Sequence, residues 1–182
     1  MARFTRTDWL ELASRLLAEE GPAGLVIERL TEAAKRTRGS FYHHFASRDA
    51  FLAALMEHWR DKVIEAAAQP YRDNPSPETL KALLREAPHT WNHAFEREVR
   101  RLAANEPVVR EGVKRVDTER IAGLAFLIGL FRPEVDDPES MAFLQYAVVV
   151  GGQWLLESDD DPRMPGIRRV GEALFGLADE EG

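Results

Sequence analysis

Apolar positions recur at helical spacing along nearly the whole chain. Trp9, Leu12, Ala13, Leu16 and Leu17 fall at i, i+3, i+4, i+7 and i+8, which predicts an amphipathic helix over about 7–20. Asp8 favours its N-terminus electrostatically, and Gly21 with Pro22 ends it. Ile27, Leu30, Ala33 and Ala34 predict a second helix over about 27–35. A short third follows over about 37–44, with the Thr37 hydroxyl as its cap. Ser47 caps a fourth, expected over about 48–68, with Phe51, Leu52, Leu55, Met56, Trp59 and Val63 on one face. The run QPYRDNPSP at 69–77 holds three prolines and reads as a break. A fifth helix is expected over about 78–87. A sixth starts at Pro88 and carries Trp91, Phe95, Val99 and Leu102.

The C-terminal part is more apolar. A seventh helix begins near Pro107. An eighth is opened by Asp137 as N-cap, Pro138 in the first turn and Glu139 beside the positive helix end. Residues 121–131 and 141–156 are apolar on nearly every side, which predicts a central place in a core. Ile167, Val170, Leu174 and Leu177 mark a last amphipathic helix. No alternating strand pattern and no internal repeat occurs. The expectation is an all-α fold of about nine helices.

Composition narrows the class. At 182 residues, 45% hydrophobic and 30% charged, the chain suits a globular protein of one or two domains. No run reaches about 18 uncharged apolar residues, and Asp8, Glu11 and Glu19 interrupt the N-terminus as a signal sequence. With no cysteine there is no disulfide framework and no thiolate metal site, and the expected location is the cytoplasm. The net charge of −7 argues against indiscriminate nucleic-acid binding. Residues 1–60 hold 9 cations and 8 acids, whereas the remainder holds 15 and 23. A near-neutral head with clustered cations on an acidic body suits DNA binding, though a fluctuation of charge would look alike.

The chemistry concentrates between Leu25 and Trp59. Lys35, Arg36, Thr37 and Arg38 form a basic turn, followed by a short helix whose outward groups are small, polar or cationic. Such a helix can enter a major groove. Adjacent helical residues point about 100° apart, so His43 and His44 do not share a metal ion easily, and no metal site is expected. Arg48 at the start of the fourth helix opposes the helix dipole, so it serves something other than helix stability. There is no Gly-rich phosphate loop, no HExxH and no nucleophile elbow, so neither an enzyme nor a cofactor is expected. A helical adaptor without DNA reading is the remaining alternative; Lys35 and Arg36 argue against it.

The run TRGSFYHHFASRDAF, with TRTDWLELASRLLAEEG upstream, resembles the DNA-binding head of the TetR family of bacterial transcriptional repressors. The resemblance covers roughly residues 5–55. It departs from the family pattern at Lys35 and Arg36, where a glycine and an aliphatic residue are usual, and at Leu25, where a capping threonine is usual. It implies a helix-turn-helix DNA-binding domain over 1–47 and a helical effector-binding and dimerisation domain over 48–182. It implies Arg38 and Ser40 at base edges, and Thr37, Tyr42, His44 and Arg48 at phosphates. Lys35, Arg36, Gly39 and His43 complete that surface. Arg3 and Arg6 either touch DNA as a flexible arm or are solvated.

The resemblance further implies a homodimer on a palindromic operator, probed by two heads about 34–36 Å apart and released by a small effector. Ala147, Gly151, Trp154, Val170 and Leu174 are the candidate dimer contacts. Trp91, Phe95, Phe126, Met141 and Gln145 are the candidate effector contacts, and the absence of clustered Arg or Lys there suggests a largely apolar ligand. Ordinary packing is the competing reading for both sets.

Overall fold

The structure is a computed structural model that describes residues 4–86, 92–156 and 161–176. The described residues contain nine α-helices and no strand. They are α1 (Arg6–Glu20), α2 (Ile27–Ala34), α3 (Arg38–His44), α4 (Arg48–Asp73), α5 (Pro77–Glu86), α6 (His93–Ala103), α7 (Pro107–Phe131), α8 (Pro138–Leu155) and α9 (Met164–Leu174). A 3-10 turn, Gly21–Leu25, joins α1 to α2. Two compact units result: one from residues 1–64 with 92–116, the other from 65–91 with 117–182. The unit that holds α1–α3 therefore also takes in the start of α4, all of α6 and the first turns of α7.

Local chemistry sets most helix ends. Thr5 caps α1: its hydroxyl accepts the Asp8 N–H at 3.2 Å, and Asp8 accepts the Thr5 N–H at 2.7 Å. This reciprocal box satisfies two donors that a helix start leaves open. Thr37 accepts the Ser40 N–H at 3.2 Å, Ser47 the Ala50 N–H at 3.1 Å and Asp137 the Ser140 N–H at 3.0 Å, all at positions the sequence marks as caps. The N-cap of α2 is Val26, one residue beyond Leu25, and it supplies no side-chain bond.

Three boundaries differ from expectation. α4 does not stop at 68 but continues through Pro70 to Asp73. Proline removes one N–H and crowds the carbonyl four residues back, but side-chain bonds hold the last turns: Gln69 to Asp73 at 2.6 Å and Arg72 to Glu65 at 2.5 Å. α5 begins at Pro77, behind Ser76, whose hydroxyl accepts the Thr79 N–H at 3.1 Å. α6 begins at His93, capped by Asn92 on the Phe95 N–H at 3.0 Å; Pro88 and Trp91 lie outside the described residues, as does Leu177.

The first unit has an aromatic centre. Phe41 is fully buried, edge-on to Trp9 at 5.4 Å and to Phe51 at 5.1 Å, with Phe45 5.1 Å from both Phe41 and Phe51. The Gly24 backbone runs against α1, where a Cβ would lie 2.5 Å from the Leu16 carbonyl oxygen. In the second unit, Leu84, Leu124, Ile128, Ala142 and Tyr146 form the core. Here the expectation of two fully central helices is corrected. α7 leaves Phe126 and Leu130 exposed, and α8 leaves Phe143, Leu144, Val148, Trp154 and Leu155 exposed. Among the described residues too few helices are available to cover both sides of each.

Candidate nucleic-acid interface

α3 is a short helix with two unlike sides. Phe41 anchors it in the core, while Arg38, Gly39, Tyr42 and His43 are exposed and Ser40 is half-buried. Seven residues suffice because that one aromatic anchor fixes the helix from below. Gly39 meets nothing closer than 3.7 Å where a Cβ would stand, so packing within the chain does not require its smallness.

The turn before α3 is closed by Lys35 in the left-handed region, at φ 51°. The Lys35 N–H reaches the Glu32 carbonyl at 3.0 Å and the Arg36 N–H the Thr31 carbonyl at 2.9 Å, which ends α2 and redirects the chain. Lys35 is exposed. Arg36 is half-buried, and its guanidinium lies 5.5 Å from the Phe4 ring centroid, a cation–π distance. Phe4 in turn stands edge-on to Trp9 at 5.0 Å. From residue 4 onward the N-terminal segment is therefore packed on the head, and Arg6 lies 5.3 Å over the Phe45 ring.

Several side chains assigned to DNA have partners within the chain. The His44 ring donates from Nε2 to the Phe4 carbonyl at 3.2 Å, which ties α3 to the N-terminal segment. Arg38 is ion-paired with Glu28 of α2. Arg48 donates to Glu106 at 2.5 Å. Thr37 uses its hydroxyl as the α3 cap. Phe4, Glu28 and Glu106 escaped the sequence reading because no local spacing links them to the basic turn. Among the described residues no group of His, Asp and Glu could hold a metal ion.

The candidate effector residues divide between the units. Phe95 is 4% exposed in the first unit, 5.9 Å from the Trp59 ring. Met141 packs on the second unit's core, and Gln145 is 5% exposed there. Phe126 is 67% exposed, so it walls no pocket of the described chain. Trp91 is outside the described residues. Near Gln145 in sequence, the Tyr146 hydroxyl donates to Asp117 at 2.6 Å. Burial, opposed by Arg120, pushes the Tyr146 hydroxyl up to about 12, so it stays protonated. Arg120 is itself buried. The candidate dimer residues Ala147, Trp154, Val170 and Leu174 are exposed, and Gly151 is half-buried.

An anchored α2–turn–α3 with a polar outer side is the arrangement of a helix-turn-helix motif. The family model described as bacterial regulatory proteins, tetR family, matches residues 10–55. The transcriptional repressor KstR2 of Rhodococcus jostii is 25% identical over 162 residues, 82% of this chain and 78% of that protein. The repressor AcnR of Corynebacterium glutamicum is 28% identical over 129 residues, 70% of this chain and 65% of that protein. The reduced form of E. coli NemR superposes with a TM-score of 0.78 at 16% identity, covering 97% of this chain and 99% of that one. A TetR transcription regulator from Haloarcula marismortui superposes at 0.74 and 17%, covering 93% and 97%. These likenesses show the all-α fold.

Residues 10–55 thus match the tetR family of bacterial regulatory proteins, and the curated relatives are transcriptional repressors. Among the described residues no helix is long and apolar enough to cross a membrane.

Proposed function

We propose that the chain is a cytoplasmic repressor that binds a palindromic operator as a homodimer and leaves it on binding a small effector. The observation that carries the reading is α3. Its core side is a single buried Phe41, and its outer side offers Arg38, Gly39, Ser40, Tyr42 and His43. Arg38 and Ser40 read base edges. Thr37, Tyr42, Arg48, Lys35 and Arg36 follow phosphates, with His44 seating the N-terminal segment beside them. The division of labour is DNA reading by 1–47 and effector binding with dimerisation by 48–182.

The dimer reading is supported by α8, where Phe143, Ala147, Gly151 and Trp154 repeat at i, i+4, i+8 and i+11, with Leu144, Val148 and Leu155 beside them. An exposed apolar stripe of this kind marks an association surface. A Cβ at Gly151 would meet nothing within 4 Å, which leaves room for a partner helix. Val170 and Leu174 of α9, 63% and 70% exposed, extend the apolar surface.

The effector reading rests on Gln145. Its Oε1 is buried and accepts no hydrogen bond. Such an atom costs on the order of 1–3 kcal/mol unless a partner arrives. Met141 supplies an apolar neighbour on the same helix. The effector is accordingly an apolar molecule with one hydrogen-bond donor.

Selection of bound duplexes from a random pool tests the reading. The expected product is a palindrome whose half-sites are about 10 base pairs apart or a multiple of it. No enriched sequence, or an unpaired half-site bound by a monomer in ultracentrifugation, overturns it. If an effector is found, Gln145→Leu should weaken its binding at least tenfold; unchanged affinity removes Gln145 from the site.

A further inference from the structure

The surface proposed for DNA includes a carboxylate, and its placement has a consequence for affinity. Arg48 opens α4, behind the Ser47 cap. A cation there is unfavourable to the helix dipole. Its side chain is 47% exposed and donates from a guanidinium nitrogen to Glu106 Oε1 at 2.5 Å, across 58 residues of sequence.

Glu106 stands on a fixed corner. Its carbonyl accepts the Val109 and Arg110 N–H groups at 3.1 and 3.0 Å, which makes it the start of α7. Arg110 ties the same corner to the end of α6, donating to the Ala103 and Ala104 carbonyls, each at 3.1 Å. The Glu106 side chain is only 21% exposed. The backbone that carries the carboxylate is thus held, and the arginine is the more solvated partner.

We propose that Glu106 sets the DNA affinity of the head by occupying Arg48 where a phosphate would otherwise take it. The inference rests on the reading that Arg48 contacts phosphate. A guanidinium engaged by a carboxylate must exchange that partner for the phosphate oxygens, so each binding event loses the internal ion pair. Phosphates are uniform along DNA, so the effect is the same on every duplex and leaves sequence preference unaltered. Glu106 is in this sense an internal competitor whose removal raises affinity without adding a contact.

The test uses the full chain, a random-sequence duplex at about 50 mM salt, and four variants. Glu106→Gln and Glu106→Ser remove the charge; serine keeps a capping hydroxyl for α7 and is too short to reach Arg48. Both should bind about two- to fivefold more tightly than the parent, the range of a partly exposed ion pair. Arg48→Ala should bind more weakly, and Glu106→Gln added to it should change nothing further. If Arg48→Ala weakens binding while both Glu106 variants bind as the parent or worse, the competition is refuted and the phosphate role of Arg48 stands. If Arg48→Ala binds as the parent does, the phosphate role fails and the inference falls with it. A gain from Glu106→Gln that persists without Arg48 also refutes it, because a general charge effect would then suffice.

Discussion

Lys35 carries a stability cost in return for a charge beside α3, and replacing it with glycine separates the two. Its φ of 51° is a left-handed conformation that a side chain with a Cβ resists by about 1–2 kcal/mol. Glycine removes that penalty but gains freedom in the unfolded chain, worth about 0.5–1 kcal/mol in the other direction. Lys35→Gly should therefore stabilise the protein by about 0.5–1 kcal/mol, and raise Tm by about 1–4 °C for a chain of this size. The same change removes an exposed cation next to α3. The slope of log K against log salt should then fall by about 0.9, the share of one phosphate. Lys35→Ala is the control: it loses the charge and keeps the strained backbone, so it should match the parent in Tm and the glycine variant in salt slope. Calorimetry and duplex titration over a salt series measure the two quantities. A Tm for Lys35→Gly no higher than for Lys35→Ala would refute the strain argument. An unchanged slope in both variants would remove Lys35 from the phosphate surface.

Two further predictions concern the fold of the head. Gly24→Ala places a Cβ 2.5 Å from the Leu16 carbonyl oxygen, a backbone atom that cannot yield locally, so a loss of about 1–3 kcal/mol is expected in denaturant unfolding. The Asp8 carboxyl titrates below its usual 3.8 because the Thr5 N–H and then the Thr5 hydroxyl bond its charged form. A depressed folded pKa adds stability that is complete above the ordinary value and disappears as pH falls through the folded one. Asp8→Asn should flatten the parent's stability loss below about pH 4, and a variant with the same acid profile as the parent would show that the box does not contribute.

Part of this protein was legible locally. The spans of α1, α2 and α3 follow from i, i+3, i+4 periodicity and nearby stop signals, because a helix start is closed by a side chain only two or three residues away. Thr37, Ser47 and Asp137 were found in that way. The Thr5–Asp8 box obeys the same local rule, although the sequence reading gave Asp8 only an electrostatic role. Pro70 misled for a related reason. Proline is read as a breaker, but the side-chain bonds of Gln69 and Arg72 keep α4 going past it.

What the sequence by itself determined is the all-α class, the order of its helices and the place of the short helix α3 behind its basic turn, since each depends on residues within one or two turns of one another. Only the tertiary structure decided which charges on that surface are already engaged. Arg38 meets Glu28 and Arg48 meets Glu106 because folding brings together helices and corners that are distant in sequence. It likewise decided which apolar face of α8 the chain itself covers. Ala142, Gln145 and Tyr146 face inward, and Phe143, Ala147 and Trp154 face solvent. Periodicity counts apolar residues around a helix, but burial depends on how many neighbouring helices there are to lie against them.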